Sequence, residues 1–210
     1  MLVVSLIISS NFAYGYSHSY INTFRSSANS SIFVSQSLDG EYGNFTLTGK
    51  LDDEDLNEAS PGDTISDRSL WRGIGLSTSV GLELMKFIQF SVGHTFINMR
   101  SQDDAREQLE GSRIHADTKL VFGSPIGNLE AGFGASIIRA DYQKLLESSS
   151  FVGSGLFYSL GGNYFLTSRF SIFARGKIFK DHLMRNSGSA RVQQIDTETT
   201  AVSLGFRIWM

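Results

Sequence analysis

The sequence predicts an all-β chain, an eight-stranded antiparallel up-and-down transmembrane β-barrel, and three observations carry that prediction. Apolar and small or polar residues alternate with period two in eight segments. The connections between those segments alternate between long and short. The composition is rich in aromatic residues (12%) and glycine (21 residues), with 2 prolines and only 19% charged residues. That charged share lies below the roughly 25% of an ordinary soluble domain.

The first element is the N-terminus. Leu2 to Ile8 is the longest apolar run, too short for a membrane helix, which needs about 20 residues. With Ala13-Tyr14-Gly15 behind it, the run reads as a secretory signal peptide over residues 1–15, although no Lys or Arg precedes it. A buried N-terminal strand is the competing reading. Residues 16–29 are rich in Ser and Asn and read as a linker, leaving 30–210 for the barrel.

The first strand segment, Ser31 to Thr48, is ragged and broken by Asp39-Gly40. Seven cleaner ones follow: Ser69 to Gly81, Phe87 to Asn98, Arg113 to Phe122, Asn128 to Ala140, Phe151 to Phe165, Arg169 to Lys180 and Thr199 to Met210. Each can supply the roughly 9–11 residues that a membrane strand requires. Gly49 to Arg68, Met99 to Ser112 and Asp181 to Glu198 read as long polar loops, and Asp141 to Ser150 as a medium one. Leu82 to Lys86, Gly123 to Gly127 and Leu166 to Ser168 read as short turns. Long loops at one end and short turns at the other is the loop pattern of a membrane barrel.

Face assignment follows from the alternation. In the last segment Thr200, Val202, Leu204, Phe206, Ile208 and Met210 oppose Thr199, Ala201, Ser203, Gly205, Arg207 and Trp209. The less apolar face is mostly Gly, Ser, Ala and Thr, which suits a narrow lumen better than a water-facing surface. Charges on that face need partners. Asp117 and Glu130 against Lys119, Arg175, Lys177 and Arg207 are therefore expected to form an ion network inside the barrel. Arg72, His94 and Arg139 share the phase of the apolar face. The two arginines fall near long loops, where charge costs little. His94 suggests a bulge.

The final residues, Ser203-Leu204-Gly205-Phe206-Arg207-Ile208-Trp209-Met210, resemble the C-terminal assembly signal of bacterial outer-membrane barrels. Ser203, Gly205, Ile208 and Met210 match its pattern, while the usual terminal aromatic is replaced by Met210 with Trp209 beside it. The chain resembles the small eight-stranded barrels of the OmpA and OmpX kind. That resemblance implies a place in the cell outer membrane of a Gram-negative bacterium, contact with outer-membrane lipid and recognition by the barrel-assembly machinery.

Other chemistry is weakly signalled. The acidic run Asp52 to Asp55 continues to Glu58, and Asp53, Asp55 and Asn57 have the spacing of a calcium loop. Glu58 stands where glycine is needed and Thr64 where the bidentate Glu is needed, so a solvated acidic loop is the better reading. The pairs Gly73/Gly75, Gly132/Gly134 and Gly153/Gly155 lie within strands and lack a third glycine, so they read as small lumen positions. His115 with Asp117 is a structural lumen pair or half of a catalytic one. Phe87, Phe122, Tyr142, Phe151, Tyr164, Phe165 and Phe170 fit interfacial girdles or ordinary packing. A net charge of −3 without a basic tract argues against nucleic acid. The expected function is structural, adhesive or surface-interacting, without enzymatic activity or cofactor, as a monomer meeting an extracellular partner through acidic loops. A soluble lipocalin-like barrel with an apolar ligand and a membrane-embedded lipid or peptide hydrolase are the alternatives.

Overall fold

The computed structural model describes residues 30–50, 64–123, 126–144, 147–188 and 192–210. The expected signal peptide, the linker and the acidic run lie outside these residues. Eight strands run β1 (Ser30–Lys50), β2 (Thr64–Leu84), β3 (Ile88–Ser101), β4 (Glu107–Gly123), β5 (Gly127–Lys144), β6 (Glu147–Phe165), β7 (Phe170–Gly188) and β8 (Val192–Trp209). Each pairs antiparallel with the next, and β1 pairs with β8 from Phe33↔Trp209 to Thr48↔Gln194. The result is a closed barrel, so the wall has no free lateral edge where β1 meets β8.

Strand β1 is continuous, not broken at Asp39-Gly40. Asp39 points inward and is hydrogen-bonded by Ser37 Oγ at 2.8 Å and Ser77 Oγ at 2.5 Å. Gly40 faces out.

The expected long loops at 99–112 and 181–198 and the medium one at 141–150 are mostly strand. Only residues 102–106, 145–146 and 189–191 separate the strands of these hairpins. Charge density on the outer face masked an alternation that continues beneath it. Met99, Leu109, Tyr142, Phe151, Leu183 and Ile195 all point inward and are buried. The alternating connections are thus alternating strand overhangs. At the end that carries Ser30 and Met210, turns at 85–87 and 166–169 follow β2 and β6, and β4 ends at Gly123 with β5 starting at Gly127.

That near end is built by local chemistry. Met85 and Lys86 both have positive φ (51° and 65°), and the Phe87 N–H meets the Leu84 carbonyl at 3.3 Å. Two central residues with positive φ match the twist of the flanking strands, a geometry that Asn-Gly adopts more cheaply than Met-Lys. At 166–169 the Thr167 hydroxyl accepts the Phe170 N–H at 3.0 Å, and the Leu166 N–H reaches the Phe170 carbonyl at 3.0 Å.

The outer surface carries a wide apolar belt. Leu38, Leu76, Val92, Phe96, Phe133, Ile137, Leu156, Leu160 and Leu204 are all exposed, Leu160 at 69%. Large apolar patches of this kind mark a surface built for a non-aqueous or protein partner. Toward the far end every strand described changes character on the outside. Tyr42 gives way to Asn44, Ile74 to Arg72, Phe96 to Asn98, Ile137 to Arg139 and Ile178 to Lys180.

Candidate functional site

The interior divides into two compartments along the barrel axis, one charged and one apolar. Both are assembled from inward residues at alternate positions, so sequence parity alone brings them together.

At the near end Phe33, Phe165 and Trp209 close the barrel. Their ring centroids lie 5.1 Å (Phe33–Trp209) and 5.9 Å (Phe165–Trp209) apart, and Trp209 Nε1 donates to Ser171 Oγ at 3.1 Å. Above them sits Glu130. Arg207 Nη1 donates to Glu130 Oε1 at 2.7 Å, and Arg175 Nη2 donates to Oε2 at 2.8 Å. Asn163 Nδ2 is a further donor. One carboxylate from β5 therefore ties β6, β7 and β8 across the lumen. The Arg207 guanidinium also lies 4.2 Å from the Phe33 ring centroid, a cation–π contact that covers its second face.

In the next layer Lys119 Nζ is 2.8 Å from Asp117 Oδ2 and 2.7 Å from Ser91 Oγ. Lys177 Nζ lies 3.5 Å from Asp39 Oδ2. A third layer is centred on Arg113, whose Nη1 is 3.3 Å from Glu41 and whose Nη2 is 2.9 Å from Asp181. Ser136 donates to Asp181 at 2.7 Å, and the Arg113 guanidinium lies 3.9 Å from the Phe179 ring centroid. Every charged side chain in these three layers is at most 7% exposed. Buried charges on this scale persist only when paired and hydrogen-bonded.

The six residues expected in the lumen are all there, in two separate pairs and one triad. Asp117 holds Lys119, Glu130 holds Arg175 and Arg207, and Lys177 pairs with Asp39. Sequence reasoning left Asp39, Glu41 and Asp181 out of the lumen, and it placed Arg113 on the lumen face without assigning it to the ion network. Parity marks all four: Asp39 and Glu41 follow Ser35 and Ser37, Arg113 precedes His115 and Asp117, and Asp181 follows Arg175 and Lys177. Asp39 and Asp181 were hidden because one lay at an expected break and the other in an expected loop.

Beyond Arg113 the interior turns apolar. Phe45, Leu47, Trp71, Ile97, Met99, Leu109, Ile138, Ala140, Tyr142, Phe151, Leu183 and Ile195 form one buried cluster. Phe45 stacks on Trp71 with centroids 4.8 Å apart, and Trp71 approaches Tyr142 at 6.4 Å. The Tyr142 hydroxyl donates to Glu107 at 3.1 Å, so its polar end is satisfied at the rim. This apolar vault also corrects the girdle reading. Tyr142, Phe151 and Phe165 face inward, while Phe87, Phe122 and Tyr164 are exposed on the outside.

His115 packs edge-on against Phe157, with centroids 5.8 Å apart, over Gly93. A Cβ at Gly93 would meet His115 Nε2 at 2.6 Å, so only glycine admits the ring. His94 causes no bulge. It pairs in register with Thr78 and Ile114, faces outward and lies edge-on to Phe96 at 4.5 Å. Of the four C-terminal signal residues, Ser203 points inward and is fully buried, while Ile208 and Met210 face out. Gly205 lets the Gln36 carbonyl and the Phe173 ring approach, since a Cβ there would meet them at 2.1 and 2.8 Å.

No protein-family model and no curated protein matches the sequence. Solved structures do resemble the fold. Neisserial surface protein A superposes with a TM-score of 0.55 at 16% identity, over 84% of this chain and 96% of that one. OprG of Pseudomonas aeruginosa gives 0.47 at 12% identity, covering 86% and 96%. Ail of Yersinia pestis, solved with a heparin analogue, gives 0.39 at 14% identity, covering 83% and 98%. At such identities the likeness is one of fold, and the chain has the architecture of the small eight-stranded outer-membrane β-barrels.

Proposed function

We propose that the chain is an integral protein of a Gram-negative outer membrane, without enzymatic activity, that presents rigid hairpins outside the cell for adhesion or partner binding. The observation that carries this reading is the reversal of polarity along the barrel axis. A belt of exposed Leu, Ile, Val and Phe surrounds the charged lumen, whereas a polar outer face surrounds the apolar vault. The first arrangement suits lipid outside, and the second suits water outside. The overhanging far end then faces the exterior, and Ser30 and Met210 face the periplasm.

A non-enzymatic role is supported by the packing of the interior. The His115 and His94 imidazoles rest against aromatic rings, and no hydrogen bond joins either to a serine or a carboxylate among the described residues. The vault has the apolar lining a soluble ligand-binding barrel would need, yet its rings are in contact with one another. The belt would also be unprotected in water.

The test is fractionation. The mature protein should sediment with outer membranes, require detergent for extraction and migrate differently on gels when unboiled. Recovery as a soluble periplasmic species overturns the reading. In planar bilayers the plugged lumen should give no steady porin-like current. Removal of residues 208–210 deletes the seam pairs Val34↔Ile208 and Phe33↔Trp209 and the outward Ile208 and Met210. It should block recognition by the assembly machinery and leave protease-sensitive protein, whereas neutralising Asp52 to Asp55 should leave assembly intact.

A further inference from the structure

The polar collar above the belt is unevenly charged. On β7 and β8 two cross-strand pairs join opposite partners: Lys180 lies 3.4 Å from Glu198, and His182 Nδ1 lies 2.5 Å from Asp196. On β2 and β3 the pairing is of like charges, because Arg72 stands directly opposite Arg100 and both are exposed. Opposed like charges on an antiparallel pair are destabilising.

Neither arginine is hydrogen-bonded or ion-paired to another described residue. The nearby acids are engaged elsewhere. Glu110 Oε1 accepts from Asn98 Nδ2 at 2.7 Å and from Gln108 Nε2. Asp103 Oδ2 accepts the Leu70 N–H at 3.1 Å. The two guanidinium groups therefore form a cationic step to which no described residue supplies a counter-ion.

Position identifies the counter-ion. Arg72 lies beyond Ile74 toward the far end, Ile74 being 64% exposed, and Phe96, 62% exposed, lies on β3 below Arg100. Tyr42 flanks Arg72 from β1 and is itself half exposed. Arginine beside an outward tyrosine, just where apolar side chains end, is the arrangement that meets the headgroup layer of a membrane. Guanidinium forks match the oxygens of a phosphate two at a time.

We infer that Arg72 and Arg100, flanked by Tyr42, bind the phosphate of a membrane-lipid headgroup, with Ile74 and Phe96 against its acyl chains. The inference rests on the outer-membrane reading above. In the test, the full chain is refolded in a neutral detergent. It is titrated separately with diphosphoryl lipid A, phosphatidylglycerol, a neutral diacylglycerol and inorganic phosphate, and adducts are counted by native mass spectrometry. Both phosphate-bearing lipids should bind, the diphosphoryl form more tightly, and the other two should not. The double variant R72Q/R100Q should weaken lipid binding by about tenfold or more, while K180Q on the opposite wall should bind as the parent does. Unchanged binding by the double variant overturns the site, as does equal binding of the diacylglycerol. Inorganic phosphate bound as tightly as the lipids overturns the lipid source. A chain that inserts but shows no such selectivity defeats this inference alone. A chain that stays soluble without detergent defeats the membrane reading beneath it.

Discussion

The near half and the far half of this barrel obey the same alternation with opposite sign. In the near half Leu76 and Phe133 face out while Asp117, Lys119 and Glu130 face in. In the far half Arg100 and Glu110 face out while Met99 and Leu109 face in. The strands do not break where the sign changes: β4 runs unbroken from Glu107 to Gly123 across it. A β-strand fixes only which residues share a face, and the medium on each side decides what those faces must be. The change of sign along one strand therefore records a change of surroundings along the barrel axis.

The two halves should also fail differently, each with a large loss of stability. Glu130 is shared by Arg175 and Arg207. Glu130→Ala would leave two buried guanidinium groups without their carboxylate, at a cost of about 3–5 kcal/mol for a broken buried pair. The urea midpoint of the vesicle-inserted barrel should fall accordingly, and a change below about 1 kcal/mol would mean that water replaces the carboxylate in the lumen. The far half should respond as a soluble core does. Trp71→Ala removes the ring stacked on Phe45 and should cost about 3–5 kcal/mol through lost packing. Protease should then cut the far hairpins while the near half stays protected, since the ion pairs of the charged layers are made without Trp71 or its cluster mates. Loss of the whole barrel at once would show that the two compartments unfold together.

How much of this was legible in the sequence follows the same division. Period-two alternation with apolar residues at every second position exposed the near half of each strand, and Asp117, Glu130 and Arg207 were readable as inward because they share parity with Gly and Ser. The far half was misread. Met99 to Ser112 contains Arg100, Asp103, Asp104, Arg106, Glu107 and Glu110, and this density of charge suggested a loop. Its apolar members, Met99 and Leu109, are too few to show a period by themselves, and they become a core only beside Trp71, Tyr142 and Leu183 from other strands. Which acid meets which base was equally hidden, because Arg113 finds Glu41 and Asp181 from strands remote in sequence. Parity places a charge in the lumen, whereas its height along the axis depends on strand register.

The smallest expected effects come from adding one charge to the outer face of each half, and they bear most directly on where the sign changes. Leu76→Arg places a cation in the belt, where the cost is about 2–4 kcal/mol at the middle of a bilayer and falls toward its edges. Gln108→Lys places a cation on the outer face of the far half, where a surface substitution stays within about 0.5 kcal/mol. Gln108 lies opposite Arg100, so any loss there should be the modest repulsion of like charges and should shrink with added salt. The two variants are compared by urea unfolding of the barrel in neutral lipid vesicles at two salt concentrations. A large, salt-insensitive penalty at residue 108 would put lipid against the far half and move the membrane boundary outward past Arg100. A negligible penalty at residue 76 would remove the belt from the bilayer altogether. Only a penalty at 76 with near-neutrality at 108 fits a boundary between the two, at the level where Arg72 and Arg100 stand side by side.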